Sequence, residues 1–295
     1  MPNITGHTEL VGLMAYPIRH TQSPTTHNLA YDKNGDDVIQ LAFEVDNSTL
    51  KEAVESIRAL KMLGSNISMP NKTVVHQYLD EVDEAAKLCG AINTVVNLRD
   101  ENGNVTGKLK GYNTDGMGYW QGIKEEGIDF KGMKLVLIGT GGAATAIAVR
   151  GALDGIAQLD IFNIRDKFYA RGEEIVETIN QNTDCKAYMH DLADLALLKA
   201  KMREADIFCD ATGVGMHPLE DLSNIPDSSY FRKDLIVTDT VYAPRETVMM
   251  KQAKASGCER VYNGMSMMLF QALIAIRLYT GKDTPVVYMK EKLGI

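Results

Sequence analysis

A short apolar run, Lys134-Leu135-Val136-Leu137-Ile138, feeds directly into Gly139-Thr140-Gly141-Gly142-Ala143-Ala144 and then into helix-forming sequence. Strand, glycine turn and helix in that order suit a phosphate-bearing nucleotide. Gly139 allows the tight turn, Gly141 lets the backbone approach a pyrophosphate, and the small Ala144 lets the helix pack close to the sheet. The free N–H groups at the helix start, around Gly142 and Ala143, would hold the anion.

After about one helix length a second β-type run, Gln158-Leu159-Asp160-Ile161-Phe162-Asn163, ends in Ile164-Arg165-Asp166. An acid at the end of this strand is where an adenosine ribose is expected. Asp166 can accept hydrogen bonds from both ribose hydroxyls and repels a 2′-phosphate, whereas Arg165 can stack on adenine or pair with that phosphate. Asn163 closes the run at the same edge. The balance favours NAD, with NADP as the alternative, and a plain solvated turn at Arg165-Asp166 is the competing reading.

Four polar clusters precede this region: Arg19-His20-Thr21-Gln22-Ser23-Pro24, Asn66-Ile67-Ser68-Met69-Pro70-Asn71-Lys72, Gly90-Ala91-Ile92-Asn93-Thr94, and Gly111-Tyr112-Asn113-Thr114-Asp115-Gly116. Each alone also reads as a turn or a helix start. Pro24 and Pro70 suit first helical turns, which would make Ser23 an N-cap and leave Asn71 and Lys72 as solvated first-turn residues.

These residues need a scaffold, and 295 residues suffice for two domains. The 45% hydrophobic and 24% charged content is ordinary for a globular protein. A net charge of −8, with no lysine and arginine run interleaved with aromatics, argues against nucleic acid and toward small-molecule partners. Cys89, Cys185, Cys209 and Cys258 are scattered, which suggests neither a metal site nor a disulfide framework but four buried thiols in a reducing compartment. No signal-like or membrane-length apolar run is seen, so a cytoplasmic protein is expected.

Alternation supplies the elements. Ile39, Leu41, Phe43 and Val45 fall on one strand face at period two, Thr49 and Glu52 form a capping box, and Leu50, Ala53, Val54 and Ile57 follow with helical spacing. Ala91 to Leu98 and the turn-like Asp100-Glu101-Asn102-Gly103-Asn104 close a first α/β domain in a hairpin. Strand candidates near 135–138, 158–162, 206–209 and 235–238, with helical sequence such as 173–179 between them, predict a mostly parallel, doubly wound sheet. Residues 267–278 predict a helix in which Met267, Met268 and Leu269 are core and Gln271 is a lone amide.

In order and spacing, the polar clusters, the nucleotide fingerprint and Gln271 closely resemble the shikimate dehydrogenase family, above all its branch that accepts both quinate and shikimate. The resemblance runs from about Gly6-His7-Thr8-Glu9-Leu10 to the C-terminal helix. It implies an α/β substrate domain, residues 1–114 with 265–295, and a Rossmann-type NAD(P)-binding domain over 115–264, with the active site in the cleft between them. It implies that Lys72 and Asp115 are the catalytic pair, that Thr21 and Ser23 hold a substrate carboxylate, and that Ser68, Asn93 and Gln271 bond ring hydroxyls. Asn66 and Thr114 are further candidates. Asp210-Ala211-Thr212-Gly213-Val214-Gly215-Met216 and Val241-Tyr242-Ala243-Pro244 match loops that flank the cofactor, which brings in Thr212, Val241 and Tyr242, and Gly264 lies in a matching glycine segment.

The chemistry suits that assignment. Oxidising a secondary alcohol needs a group to take the hydroxyl proton while hydride leaves, and a lysine beside a carboxylate can take and return it. A pocket of hydroxyls and amides rejects analogues that leave its groups unpaired.

The chain departs from the family pattern at four positions. Thr21 replaces the first of two serines, Asp210 an asparagine, Ser266 a glycine that would let the backbone approach nicotinamide, and Ile164 an arginine common in NADP users. The last change strengthens the NAD expectation. A dehydrogenase for a related cyclic hydroxy acid and a non-catalytic sensor of quinate or shikimate are the competing readings. The oligomeric state, a homodimer included, is left open.

Overall fold

In the computed structural model, which describes residues 4–295, the strands gather into two six-stranded sheets. Each sheet belongs to its own unit. One unit comprises the chain up to Thr114 together with Leu269–Ile295, and the other comprises Asp115–Met268.

The first unit runs β1 (Glu9–Ala15), α1 (Ser23–Asn34), β2 (Val38–Glu44), α2 (Leu50–Ala59), β3 (Gly64–Ile67), β4 (Glu81–Val82), α3 (Glu84–Cys89), β5 (Thr94–Arg99) and β6 (Val105–Tyr112). The sheet order is β2-β1-β3-β5-β6-β4. β1 is parallel to β2 and β3, whereas β3, β5 and β6 pair antiparallel. The β5–β6 hairpin closes as its sequence predicts, with Asp100 Oδ1 accepting from the backbone N–H of Asn102 and Asn104, both at 2.9 Å.

Two local expectations are corrected here. Most of the apolar stripe of β2 is not covered: Leu41 is 45% and Phe43 36% exposed and Ile39 is half-buried, with only Val45, just past the strand, in the core, while Val38 and Gln40 on the other face are buried. β2 is an edge strand, and α1 covers the face that carries the amide; period two defines two faces without saying which one is covered. Thr49 occupies the N-cap of α2, yet its hydroxyl makes no cap bond. Asp46 instead forms a local turn, accepting from Ser48 N at 2.8 Å and drawing the Thr49 hydroxyl to 3.5 Å. Leu50, Val54 and Ile57 are nonetheless buried at the expected helical spacing.

The second unit begins on α4 (Thr114–Glu125), whose first residue still belongs to the first, and runs β7 (Lys134–Ile138), α5 (Gly142–Asp154), β8 (Gln158–Asn163), α6 (Tyr169–Asn182), β9 (Lys186–Asp191), α7 (Leu195–Glu204), β10 (Ile207–Asp210), β11 (Ile236–Asp239), α8 (Val248–Ala255) and β12 (Arg260–Tyr262). Its sheet, ordered β12-β11-β10-β7-β8-β9, is parallel throughout. That is the doubly wound dinucleotide-binding order, with its reversal between β7 and β10. Leu135 to Ile138 are all essentially inaccessible, which explains their unbroken apolar run: a parallel sheet is covered on both faces. Trp120 of α4 is buried against Phe130, ring centroids 4.1 Å apart, and donates to Ile147 O of α5 at 2.9 Å.

The chain returns on α9 (Met265–Thr280) and ends in α10 (Val286–Leu293). From Leu269 onward α9 belongs to the first unit, where Leu269, Phe270, Leu273 and Ile276 join Val11 and Tyr31 in one core. Met267 and Met268, expected as core, are only half-buried. All four cysteines are buried and none forms a disulfide, and among the described residues no helix is long and apolar enough to cross a membrane.

Candidate active site

In the first unit the polar clusters converge through backbone pairing. Ser68 N donates to Met14 O of β1 at 3.0 Å, and Asn71 N donates to Ser68 O at 2.9 Å. That starts the single 3-10 turn Asn71–Thr73 that carries Lys72. Ile92 N donates to Lys72 O at 2.8 Å, so the loop before β5 holds the lysine backbone. Asn71 is not the solvated residue its position suggested. It is fully buried, its Nδ2 donates to Val45 O at 2.8 Å, and its Oδ1 has no hydrogen-bond partner.

Asn93 is the hinge of this region. Its N–H donates to Tyr112 O at 3.0 Å, and its Oδ1 accepts from Thr114 N at 2.8 Å. It thereby caps α4 from another segment, satisfying one of the unpaired N–H groups at the helix start. A cap of this kind stabilises by about 1 kcal/mol. Its Nδ2 also donates to Thr114 Oγ1 at 2.9 Å. Asp115 is the next residue, and Asn113 Nδ2 donates to Ala91 O at 3.0 Å on the other side of the helix start. One loop, Ala91 to Asn93, thus fixes the backbone at Lys72 and at the residue before Asp115, both of whose side chains are half-buried.

Ser23 is the first residue of α1 rather than its N-cap, a position taken by Gln22. Its N–H donates to Thr21 Oγ1 at 3.2 Å, and its hydroxyl donates to Gln40 Oε1 at 3.1 Å. Gln40 outcompetes the helix end for that hydroxyl because it is fully buried and must be satisfied. Gln40 Nε2 donates to Asn66 Oδ1 at 2.8 Å, and Asn66 Nδ2 to Thr94 Oγ1 at 3.4 Å. With Thr94 Oγ1 donating to Asn93 Oδ1, Thr21, Ser23, Asn66 and Asn93 therefore belong to one bonded assembly, and Ser68 follows two residues after Asn66. Gln271 lies half-buried on α9 among the buried Phe270 and Ala272. Gln40 belongs to none of the polar clusters read from the sequence, where its one signal is an amide out of phase with the apolar stripe of β2, and Thr94 stands there only as the end of the Gly90–Thr94 cluster.

In the second unit Gly139 turns at φ 110, a left-handed value that favours glycine. Gly141 and Gly142 are exposed at the start of the 13-residue α5, and a Cβ added at either meets no protein atom within 4 Å. Gly141 is the N-cap and supplies no side-chain cap, so this helix start offers open N–H groups beside open space, and Ala144 behind it is buried. That arrangement fits a pyrophosphate. Asn163 Nδ2 donates to Asp166 Oδ1 at 3.1 Å and Phe168 N to the same oxygen at 2.9 Å, which fixes the carboxylate at the end of β8. Arg165 lies over the Tyr169 ring at 4.7 Å, and its Nε donates to Asp191 Oδ2 at 2.6 Å. Ile164 beside it is 56% exposed.

The two loops expected to flank the cofactor hang from buried carboxylates. Asp210 Oδ1 accepts from Thr212 N at 3.0 Å and Thr212 Oγ1 at 2.7 Å, and Asn224 donates to its Oδ2 at 2.9 Å. Asp239 Oδ1 accepts from Val241 N at 2.8 Å and its Oδ2 from Thr247 Oγ1 at 2.7 Å. Burial, with the Asp210 carboxylate adding to it, pushes the Asp239 carboxyl up to about 7. Gly264 N donates to Val241 O at 2.9 Å, and a Cβ on Gly264 would stand 2.0 Å from Thr240 O. Gly264 is thus required for close backbone approach. Tyr242 is half exposed, and Ser266, half-buried on the first turn of α9, lines a small pocket with Tyr119, Thr238, Asp239 and Tyr262.

Residues 13–95 match the family model for the shikimate dehydrogenase substrate binding domain. Along its length the chain is similar to the NADP(+) shikimate dehydrogenase of Listeria monocytogenes, 49% identical over 290 residues, 98% of this chain and 97% of that protein. It is also similar to the quinate/shikimate dehydrogenase of Escherichia coli, 45% identical over 292 residues, 99% of each. Among solved structures, the shikimate 5-dehydrogenase of Listeria monocytogenes in complex with shikimate and NAD superposes with a TM-score of 0.94 at 48% identity, covering 99% of each chain.

Proposed function

This chain belongs to the shikimate dehydrogenase family, and from that membership we propose that it is an NAD(P)-dependent oxidoreductase interconverting shikimate and 3-dehydroshikimate, with quinate and 3-dehydroquinate as a second pair. The carrying observation is the Ala91–Asn93 loop, which fixes the Lys72 backbone through Ile92 and caps α4 at Thr114, immediately before Asp115.

Lys72 Nζ takes the ring hydroxyl proton as the alcohol is oxidised and returns it when the ketone is reduced, with Asp115 as the second member of the catalytic pair. Bound NAD(P) accepts or supplies the hydride. Thr21 and Ser23 receive the substrate carboxylate, while Ser68, Asn93 and Gln271 pair with ring hydroxyls, so an analogue lacking one of them leaves a polar group unpaired. Gly139 to Ala143 receive the pyrophosphate at the start of α5, and Thr212, Val241, Tyr242 and Gly264 form the nicotinamide side.

NAD is the preferred cofactor in this reading. Asp166 is already oriented by Asn163 and Phe168 toward two accepting roles, and Arg165 is engaged by Asp191 and Tyr169. Initial rates of nicotinamide reduction with shikimate and quinate, each with NAD and NADP, test the proposal. Turnover of shikimate with a higher kcat/KM for NAD is expected; equal or better use of NADP overturns the cofactor preference, and ligand binding without turnover overturns the enzyme.

A further inference from the structure

Gln40 is fully buried on β2, and all its polar groups are engaged. Its N–H donates to Asn28 Oδ1 at 2.7 Å and its carbonyl accepts from Asn28 Nδ2 at 3.1 Å, so one side chain of α1 closes the edge of the sheet at this residue. Its amide joins Ser23 to Asn66. Beyond Asn66, Thr94 Oγ1 donates to Asn93 Oδ1 at 3.0 Å, and Asn93 donates to Thr114 Oγ1. An unbroken line of amides and hydroxyls runs from Ser23 to the residue before Asp115.

Every link in that line has a direction. The single proton of the Ser23 hydroxyl is donated to Gln40 Oε1, which leaves Ser23 only lone pairs for a ligand. A carboxylate is acceptor-only, so it cannot bond to Ser23 in that state. Turning the Gln40 and Asn66 amides over exchanges their oxygen and nitrogen. Gln40 Nε2 then donates to Ser23, Asn66 Nδ2 donates to Gln40 Oε1, and Thr94 donates to Asn66 Oδ1. The three links from Ser23 to Thr94 are kept, Ser23 recovers its proton for the ligand, and the Thr94 bond to Asn93 Oδ1 is given up.

We propose that Gln40 is a positioning residue for substrate recognition: its reversible amide sets the direction of the Ser23 hydroxyl and, through Asn66 and Thr94, couples the carboxylate end of the substrate site to Asn93. The inference rests on the shikimate dehydrogenase reading given above. A residue that is both donor and acceptor is required at this position, which neither a hydrocarbon nor a carboxylate can supply.

The test compares wild type, Gln40→Met and Gln40→Glu with shikimate and with its uncharged methyl ester, measuring kcat, KM, direct binding by calorimetry and melting temperature. Gln40→Met keeps the volume and removes both bonds; Gln40→Glu keeps an acceptor toward Ser23 and adds a charge near the substrate carboxylate. The expected result is a rise in shikimate KM of at least about tenfold in Gln40→Glu, the size of one lost hydrogen bond to a charged group, with the ester affected much less. Gln40→Met is expected to fall between. Variants that match wild type, or that weaken shikimate and its ester equally, overturn the inference while leaving the functional reading intact. A wild-type protein that neither binds nor oxidises shikimate overturns both.

Discussion

Asp210 and Asp239 end adjacent parallel strands at the same register, and both carboxylates are buried. Each anchors one of the loops assigned to the cofactor, Asp210 through Thr212 and Asp239 through Val241. Asparagine is common in the family at the first of these positions, so this chain places a second acid where repulsion is felt.

The pair makes stability depend on pH. The Asp239 value rises from 3.8 to about 7 in the folded state, so the native protein holds this proton more tightly than the unfolded chain does. The associated stability is fully present below 3.8 and is lost as pH rises through about 7. Asp210→Asn removes the neighbouring charge. The variant is expected to gain a few degrees in melting temperature near pH 8, about 1 kcal/mol for a protein of this size, and less near pH 5. Equal changes at both pH values would show that the carboxylates are not coupled.

Lys72→Ala tests the proton-transfer step. Loss of a positioned acid–base group costs about 100- to 10,000-fold in kcat. Calorimetric binding of shikimate is expected to survive within a few-fold, because the carboxylate and ring contacts lie on other residues. A variant retaining most of its turnover would remove Lys72 from the mechanism.

The proposed function places cofactor choice at the end of β8. Asp166→Ala combined with Ile164→Arg removes the carboxylate that repels a 2′-phosphate and adds a partner for it, since the exposed Ile164 side chain has room to be replaced. The kcat/KM ratio of NADP to NAD is expected to rise about tenfold or more. An unchanged ratio would mean that the adenosine ribose lies elsewhere.

Two glycines separate packing from binding. Gly264→Ala puts a methyl 2.0 Å from Thr240 O, a backbone clash that should cost about 1–3 kcal/mol and disturb the Val241 loop. Gly141→Ala adds a methyl that meets no protein atom. It is expected to leave the melting temperature unchanged while raising the KM for NAD several-fold, read by thermal denaturation beside steady-state kinetics. A Gly141→Ala enzyme with unaltered cofactor KM would argue against a pyrophosphate at this turn.

The amino-acid sequence by itself determined the doubly wound sheet, its glycine turn and the β5–β6 hairpin, because these rest on local signals: unbroken apolar strands, glycine at positive φ, and an Asx turn at Asp100. The order of the polar clusters was equally readable. Only the tertiary structure decided which face of β2 is covered, that Ser23 serves Gln40 rather than the end of α1, that Asn71 is buried, and that Asn93 caps a helix 21 residues away. The physical reason is common to all four. Periodicity and capping preference state what a residue can do within its own segment, whereas a buried polar group takes whichever partner the folded chain brings within reach, and leaving it unpaired costs about 1–3 kcal/mol.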